Sequence, residues 1–98
     1  MNREEAISKL KAQEAELRNA GLSGLYLFGS IARGDHRSDS DIDLACDIDD
    51  AARIGLFGFA GIMLRLEESL ASKVDLVPLR AMRPRIRAKA EKDMVQVF

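Results

Sequence analysis

Two aspartates one residue apart, Asp41 and Asp43, follow a Gly29-Ser30 pair after ten intervening residues. Their types and spacing point to metal–nucleotide chemistry. A Gly-Ser turn lets the backbone approach a phosphate closely, and the serine offers a hydroxyl to a phosphate oxygen. Carboxylates at i and i+2 of a strand point to the same side, with Cβ atoms roughly 6 to 7 Å apart. Asp75, on a later apolar run, is a third carboxylate that could complete the cluster. Three aspartates brought together repel one another and hold protons more tightly unless a cation neutralises them. Oxygen-only donors favour Mg²⁺, with Mn²⁺ as the alternative, over zinc. One cation would hold a nucleotide triphosphate. The other would activate an attacking hydroxyl, with Asp75 as its ligand or as general base.

The surrounding elements must place these groups. The apolar run Leu25 to Phe28 between two glycines reads as a buried strand. Ser30 to Gly34 reads as the start of a short helix, whose first N–H groups could bind an anion. Asp35 to Ser40 is polar and reads as a loop. Asp41 to Ile48 alternates: Ile42, Leu44, Cys46 and Ile48 share one parity, while Asp41, Asp43, Ala45 and Asp47 share the other. That is a half-buried strand with an apolar back and an acidic front. Cys46 therefore reads as a core residue, and Asp39, Asp47 and Asp49 as surface or capping residues. Lys73 to Val77 is a third strand, ended by Pro78, with Asp75 opposite in parity to Val74 and Leu76.

The remaining segments supply helices. Asn2 and Glu5 resemble a capping box ahead of one amphipathic helix over about 3 to 19, with Gly21 as its C-terminal cap. Asp49 or Asp50 could cap a helix over about 51 to 70, in which Leu56, Phe59, Met63, Leu66 and Leu70 form a buried stripe widened by Phe57 and Leu64. Gly55, Gly58 and Gly61 recur along it. They either permit close packing on the sheet, the simpler account, or form a smooth patch for another subunit. Pro84 suits the first turn of a last helix over about 84 to 92, and Val95 to Phe98 a short edge strand.

The bounds are consistent with this reading. Ninety-eight residues make a single α/β domain over 1–98, with little room for a separate substrate-binding domain. A net charge of −1 gives no global field toward nucleic acid, and direct nucleic-acid binding is not expected. The basic stretch Arg80 to Lys92 reads as a solvated face or as a docking surface for an acidic partner or RNA, and its lack of interleaved aromatics counts against RNA. His36 reads as a surface histidine. One cysteine excludes an internal disulfide. The apolar stretch Ile54 to Leu64 is too short to span a bilayer, which needs roughly 20 residues. With no signal peptide in view, a cytoplasmic location is the expectation.

Gly29-Ser30, ten intervening residues and Asp41-Ile42-Asp43 resemble the signature of the DNA polymerase β nucleotidyltransferase superfamily. Gly-Ser-Ile-Ala-Arg-Gly and Ser-Asp-Ser-Asp-Ile-Asp-Leu resemble its minimal nucleotidyltransferases. The resemblance continues through Leu66-Glu67-Glu68 and Lys73 to Val77, and on to Val95 to Phe98. It implies a nucleotidyltransferase fold, a small mixed sheet of three to four strands flanked by helices. It implies Asp41, Asp43 and Asp75 as metal ligands and catalytic residues, and Gly29 and Ser30 as a phosphate cradle. Arg33 would contact phosphate or hold the loop. Members of this size are similar to antitoxins that transfer AMP from ATP to a tyrosine hydroxyl of a HEPN-domain ribonuclease toxin. A non-catalytic binding antitoxin, or a detached catalytic subunit acting on a small molecule such as an antibiotic, are the alternatives. A homo- or hetero-oligomer is compatible with each.

Overall fold

The computed structural model describes residues 1–37 and 39–98; Ser38, within the expected polar loop, lies outside the described residues. The elements run α1 (Arg3–Lys11), α2 (Glu14–Asn19), β1 (Leu22–Phe28), α3 (Ser30–Arg33), β2 (Ile42–Ile48), α4 (Leu56–Leu70) and β3 (Val74–Pro78). A 3₁₀ turn (Leu79–Ala81), α5 (Pro84–Glu91) and β4 (Val95–Gln96) complete the chain. The sheet has the order β3-β2-β1-β4. β1 pairs antiparallel with β2 and β4, whereas β2 and β3 are parallel. A parallel pair needs a long crossover, and α4 supplies it. The expected small mixed sheet flanked by helices is the fold observed.

The alternation of β2 becomes its two faces. Ile42, Leu44 and Cys46 are buried, and they join Leu25 and Leu27 of β1 and Val74 and Leu76 of β3 in one apolar cluster. Ala6, Leu10, Leu17, Ile62, Leu66 and Leu70 cover that face from α1, α2 and α4. Burial pushes the Cys46 thiol up to about 11, so it stands as a core residue. The opposite parity carries Tyr26, Phe28, Asp43, Asp47 and Asp75. There the Tyr26 hydroxyl donates to Asp47 Oδ2 at 2.7 Å, and this bond raises the tyrosine's affinity for its proton.

Four expectations are corrected. The first helix is two helices. Asn2 does cap α1, its Oδ1 accepting from the Glu5 N–H at 2.8 Å. The chain turns at Ala12 and Gln13, where the Gln13 N–H reaches back only to the Leu10 carbonyl. The turn lets α1 pack on α4 while α2 packs on β1, so Leu10 and Leu17 are both fully buried.

Asp49 and Asp50 do not cap α4. The Asp49 carboxylate accepts from the Ala51 N–H at 2.9 Å, closing a local turn. The helix starts only after Gly55. The stripe on α4 is also narrower than its apolar content implies. Ile62, Leu66 and Leu70 are buried, with Phe59 and Met63 packed partly against the core. Leu56, Phe57 and Leu64 are 81%, 90% and 63% exposed. The helical glycines do not press on the sheet either. A Cβ at Gly61 would meet no atom within 4 Å, and one at Gly58 only Ile54.

Candidate active site

The register of the sheet assembles the site. Phe28 pairs with Asp43 across the antiparallel ladder, and Asp43 pairs with Asp75 across the parallel one. Residues in register on neighbouring strands share a face and sit roughly 5 Å apart in backbone spacing. Phe28, Asp43 and Asp75 therefore form one row across β1, β2 and β3. Asp41 lies one residue ahead of β2 and is exposed. The proton affinity of Asp43 is raised, first by burial and then by the charges of Asp75 and Asp41. Arg33 and His36 oppose that rise. The three carboxylates are thus one electrostatic cluster centred on Asp43.

The Gly-Ser turn is built onto the same aspartate. Gly29 has φ 75 and ψ −153, a conformation essentially reserved for glycine. A Cβ built there would collide with the Asp43 carboxylate. The turn is therefore seated directly on Asp43, and glycine is required both by backbone geometry and by contact. Ser30 opens α3, the short helix expected from the sequence. Its first-turn N–H groups have no partner within the helix. The Ser30 hydroxyl lies 3.5 Å from His36 Nδ1, so this histidine belongs to the periphery of the turn.

A cleft of about 340 Å³ opens over the row. Phe28, Asp43, Asp75 and Val77 form its sheet side, and Ala81, Met82, Arg83 and Ile86 its other wall. Arg33 is not among them. Its guanidinium bonds Asp93 at 3.2 Å and Asp35 at 3.4 Å, tying α3 to the segment after α5. It lines a neighbouring hollow with Phe28, Gly29, Ile86 and Lys89. Of the residues singled out in the sequence, Gly29, Asp43 and Asp75 come together, with Ser30 and Asp41 beside them and Arg33 held to one side. Phe28, Arg83 and Ile86 were missed. The outward parity of Phe28, directly before Gly29, is a signal for the first, and the basic stretch contained the second.

The donor set is compatible with a hard cation. Its oxygens are all carboxylate, and a cation would relieve the repulsion that raises the Asp43 proton affinity. Among the described residues no three acidic, histidine or cysteine side chains converge closely enough to hold a metal ion by themselves. Mg²⁺ is ordinarily held by one or two carboxylates together with substrate phosphates and water, so an open carboxylate row suits it.

The profile of the family described as "Polymerase beta, Nucleotidyltransferase" matches residues 9–98. The chain is 33% identical over 95 residues to the protein adenylyltransferase MntA of Thermococcus cleftensis, a match covering 96% of this chain and 94% of that one. The fold is similar to the solved structure of an inferred minimal nucleotidyltransferase, with a TM-score of 0.81 at 30% identity, covering 97% and 95% of the two chains. It is also similar to a toxin–antitoxin crystal structure with AMP-PNP, with a TM-score of 0.73 at 28% identity over 92% of this chain and 72% of that one. With the Gly-Ser turn, the paired carboxylates and the mixed sheet in place, the chain belongs to the polymerase beta nucleotidyltransferase family of enzymes.

Proposed function

We propose that the chain transfers AMP from ATP to a hydroxyl, a tyrosine, of a partner HEPN-domain ribonuclease toxin, and so acts as that toxin's antitoxin. The observation that carries the reading is the seating of the Gly29 backbone on Asp43, in one row with Asp75. It joins a phosphate-sized turn to a carboxylate pair. The similarity to a protein adenylyltransferase supports the class of acceptor, and the similarity to a toxin–antitoxin assembly supports the kind of partner.

In this reading Asp41, Asp43 and Asp75 hold Mg²⁺, which when bound screens the triphosphate and lowers the pKa of the acceptor hydroxyl. Gly29 and Ser30 receive phosphate oxygens through backbone N–H groups and the serine hydroxyl. Asp75, at the open end of the row, takes the hydroxyl proton. The acceptor oxygen bonds to the α-phosphorus as the bond to pyrophosphate breaks, and pyrophosphate leaves. Arg33 acts on the turn by anchoring α3 to Asp93. The cleft is at the small end of ligand pockets, which run from about 300 to 1,000 Å³. A nucleotide fills such a volume, so the acceptor has to arrive on another molecule. The cytoplasm, which holds ATP, is the compartment this reaction requires. Among the described residues no helix is long and apolar enough to cross a membrane.

The test incubates the chain with α-labelled ATP, Mg²⁺ and its co-encoded toxin. Label should appear on the toxin and fall by more than roughly 100-fold in Asp43→Asn, a loss that even outer partners of metal ligands can produce. Full neutralisation of the toxin by Asp43→Asn would leave a binding antitoxin instead. Label on a small molecule and none on protein would move the acceptor class.

A further inference from the structure

One residue, Glu67, holds the turn from α4 into β3. Its backbone carbonyl accepts from the Ala71 and Ser72 N–H groups, the second at 3.2 Å. Its carboxylate accepts from the Val74 N–H at 3.0 Å. The turn depends on such bonds, because Ala71 has φ 50 and ψ 41, a left-handed conformation that few residues other than glycine adopt.

The peptide between Lys73 and Val74 is thereby gripped from both sides. Its carbonyl accepts from the Ile42 N–H of β2 at 2.9 Å. A trans peptide points its N–H opposite to its C=O, so the Val74 N–H faces away from β2. β3 lies at the edge of the sheet, with no further strand there to receive that N–H. The Glu67 carboxylate receives it instead. Val74 and Ile42 are partners in the ladder, and each immediately precedes an aspartate of the row, Asp75 and Asp43. Asp75 itself is exposed, and among the described residues its carboxylate has no hydrogen-bond or ion-pair partner. Its place is set by its backbone.

We infer that Glu67 is a positioning residue for Asp75, an inference that rests on the reading of Asp75 as a metal ligand. By pinning the peptide one residue ahead, the Glu67 carboxylate holds the start of β3 against β2 and keeps Asp75 in register with Asp43. Glu67 is not among the residues lining the cleft, so it acts through the main chain and not by touching the nucleotide. The bond needs only a carbonyl-type oxygen, so glutamine can replace it, whereas alanine leaves the Val74 N–H to water. Glu68, exposed on the next position of α4, is the natural control.

Mn²⁺ binding to the full chain tests this, read by electron paramagnetic resonance with α,β-methylene-ATP present so that no transfer occurs. Glu67→Ala should weaken binding by about 10-fold or more, as loss of a group that orients a ligand does. Glu67→Gln and Glu68→Ala should bind as the wild type does. Asp75→Asn should also weaken binding, and adding Glu67→Ala to it should weaken it no further, because the one acts through the other. Hydrogen exchange at the Val74 amide should quicken in Glu67→Ala and stay slow in Glu67→Gln. A folded Glu67→Ala chain that binds Mn²⁺ as the wild type does overturns the inference, and so does a loss that adds in full to that of Asp75→Asn. Where Glu67→Ala does not fold, Glu67→Met, similar in length but without the oxygen, is read by the same criteria. If Asp75→Asn binds Mn²⁺ as the wild type does, Asp75 is no ligand, and the reading of the site falls together with the inference. A loss in Asp75→Asn with none in Glu67→Ala strikes the inference alone.

Discussion

Gly29 and Gly61 are the same residue used for opposite reasons. At Gly29 the space of the missing side chain is filled from another strand by the Asp43 carboxylate. At Gly61 that space is filled by nothing. The first glycine fixes the distance between the Gly-Ser turn and a carboxylate. The second leaves a gap on a helix whose neighbours are exposed apolar groups. A glycine's role is thus read from what occupies the place of its Cβ, not from the residue alone.

The strongest way to break the comparison is Gly29→Ala. The substitution strains a glycine-only backbone, at a cost of about 1 to 3 kcal/mol, and displaces Asp43. Nucleotidyl transfer should fall by about 100-fold or more, because displacements near 1 Å have that effect on aligned reactants. Steady-state transfer, with a denaturation curve to separate unfolding from misplacement, checks it.

On stability, as distinct from transfer, Asp43→Asn gives a smaller effect, of unexpected sign. The folded state raises the proton affinity of Asp43 above its unfolded value. Its contribution is therefore favourable at low pH and is lost as pH rises through the raised folded value, where the buried group must ionise beside Asp75 and Asp41. The metal-free Asp43→Asn protein should have a higher Tm than wild type at neutral pH, a gap that closes as pH falls into the carboxylate range. Mg²⁺ should narrow it by stabilising the wild type. Thermal scans with and without chelator read this directly.

Gly61→Ala sits at the small end. The chain should gain up to about 1 kcal/mol in urea unfolding with transfer unchanged. Equal losses of activity in Gly61→Ala and Gly29→Ala would erase the contrast between the two positions.

The strands and the turn around the candidate site were more legible in the sequence than the helices were. The alternation of Ile42, Leu44 and Cys46 against Asp43 and Asp47 survives in β2, because a half-buried strand writes its two faces into successive residues. The Gly29-Ser30 turn and α3 also stand where they were expected. What the residues could not carry was register. That Phe28, Asp43 and Asp75 form one row depends on how strands align across the crossover made by α4. The break between α1 and α2 had no glycine or proline to announce it, since packing on two different elements bends the chain at Ala12 and Gln13. On α4 the apolar residues run around the whole helix, so periodicity could not separate Ile62 and Leu66, which are buried, from Phe57 and Leu64, which are not. Arg33 was singled out by its position after the turn, but its partner Asp93 lies sixty residues away.

The row across β1, β2 and β3 has a consequence for how such a centre can vary. Asp43 and Asp75 are spaced by the main-chain ladder between two strands, whose pitch no side chain sets. Loops and helices around the cleft can be exchanged without altering that interval, as the pegs of a loom keep their spacing whatever is woven between them. Asp41, exposed one residue ahead of β2, is the one carboxylate of the three outside the ladder. The geometry divides the cluster into a gauge set by the ladder and a jaw outside it, so variation in such a centre falls to the jaw and the walls while the gauge stays constant.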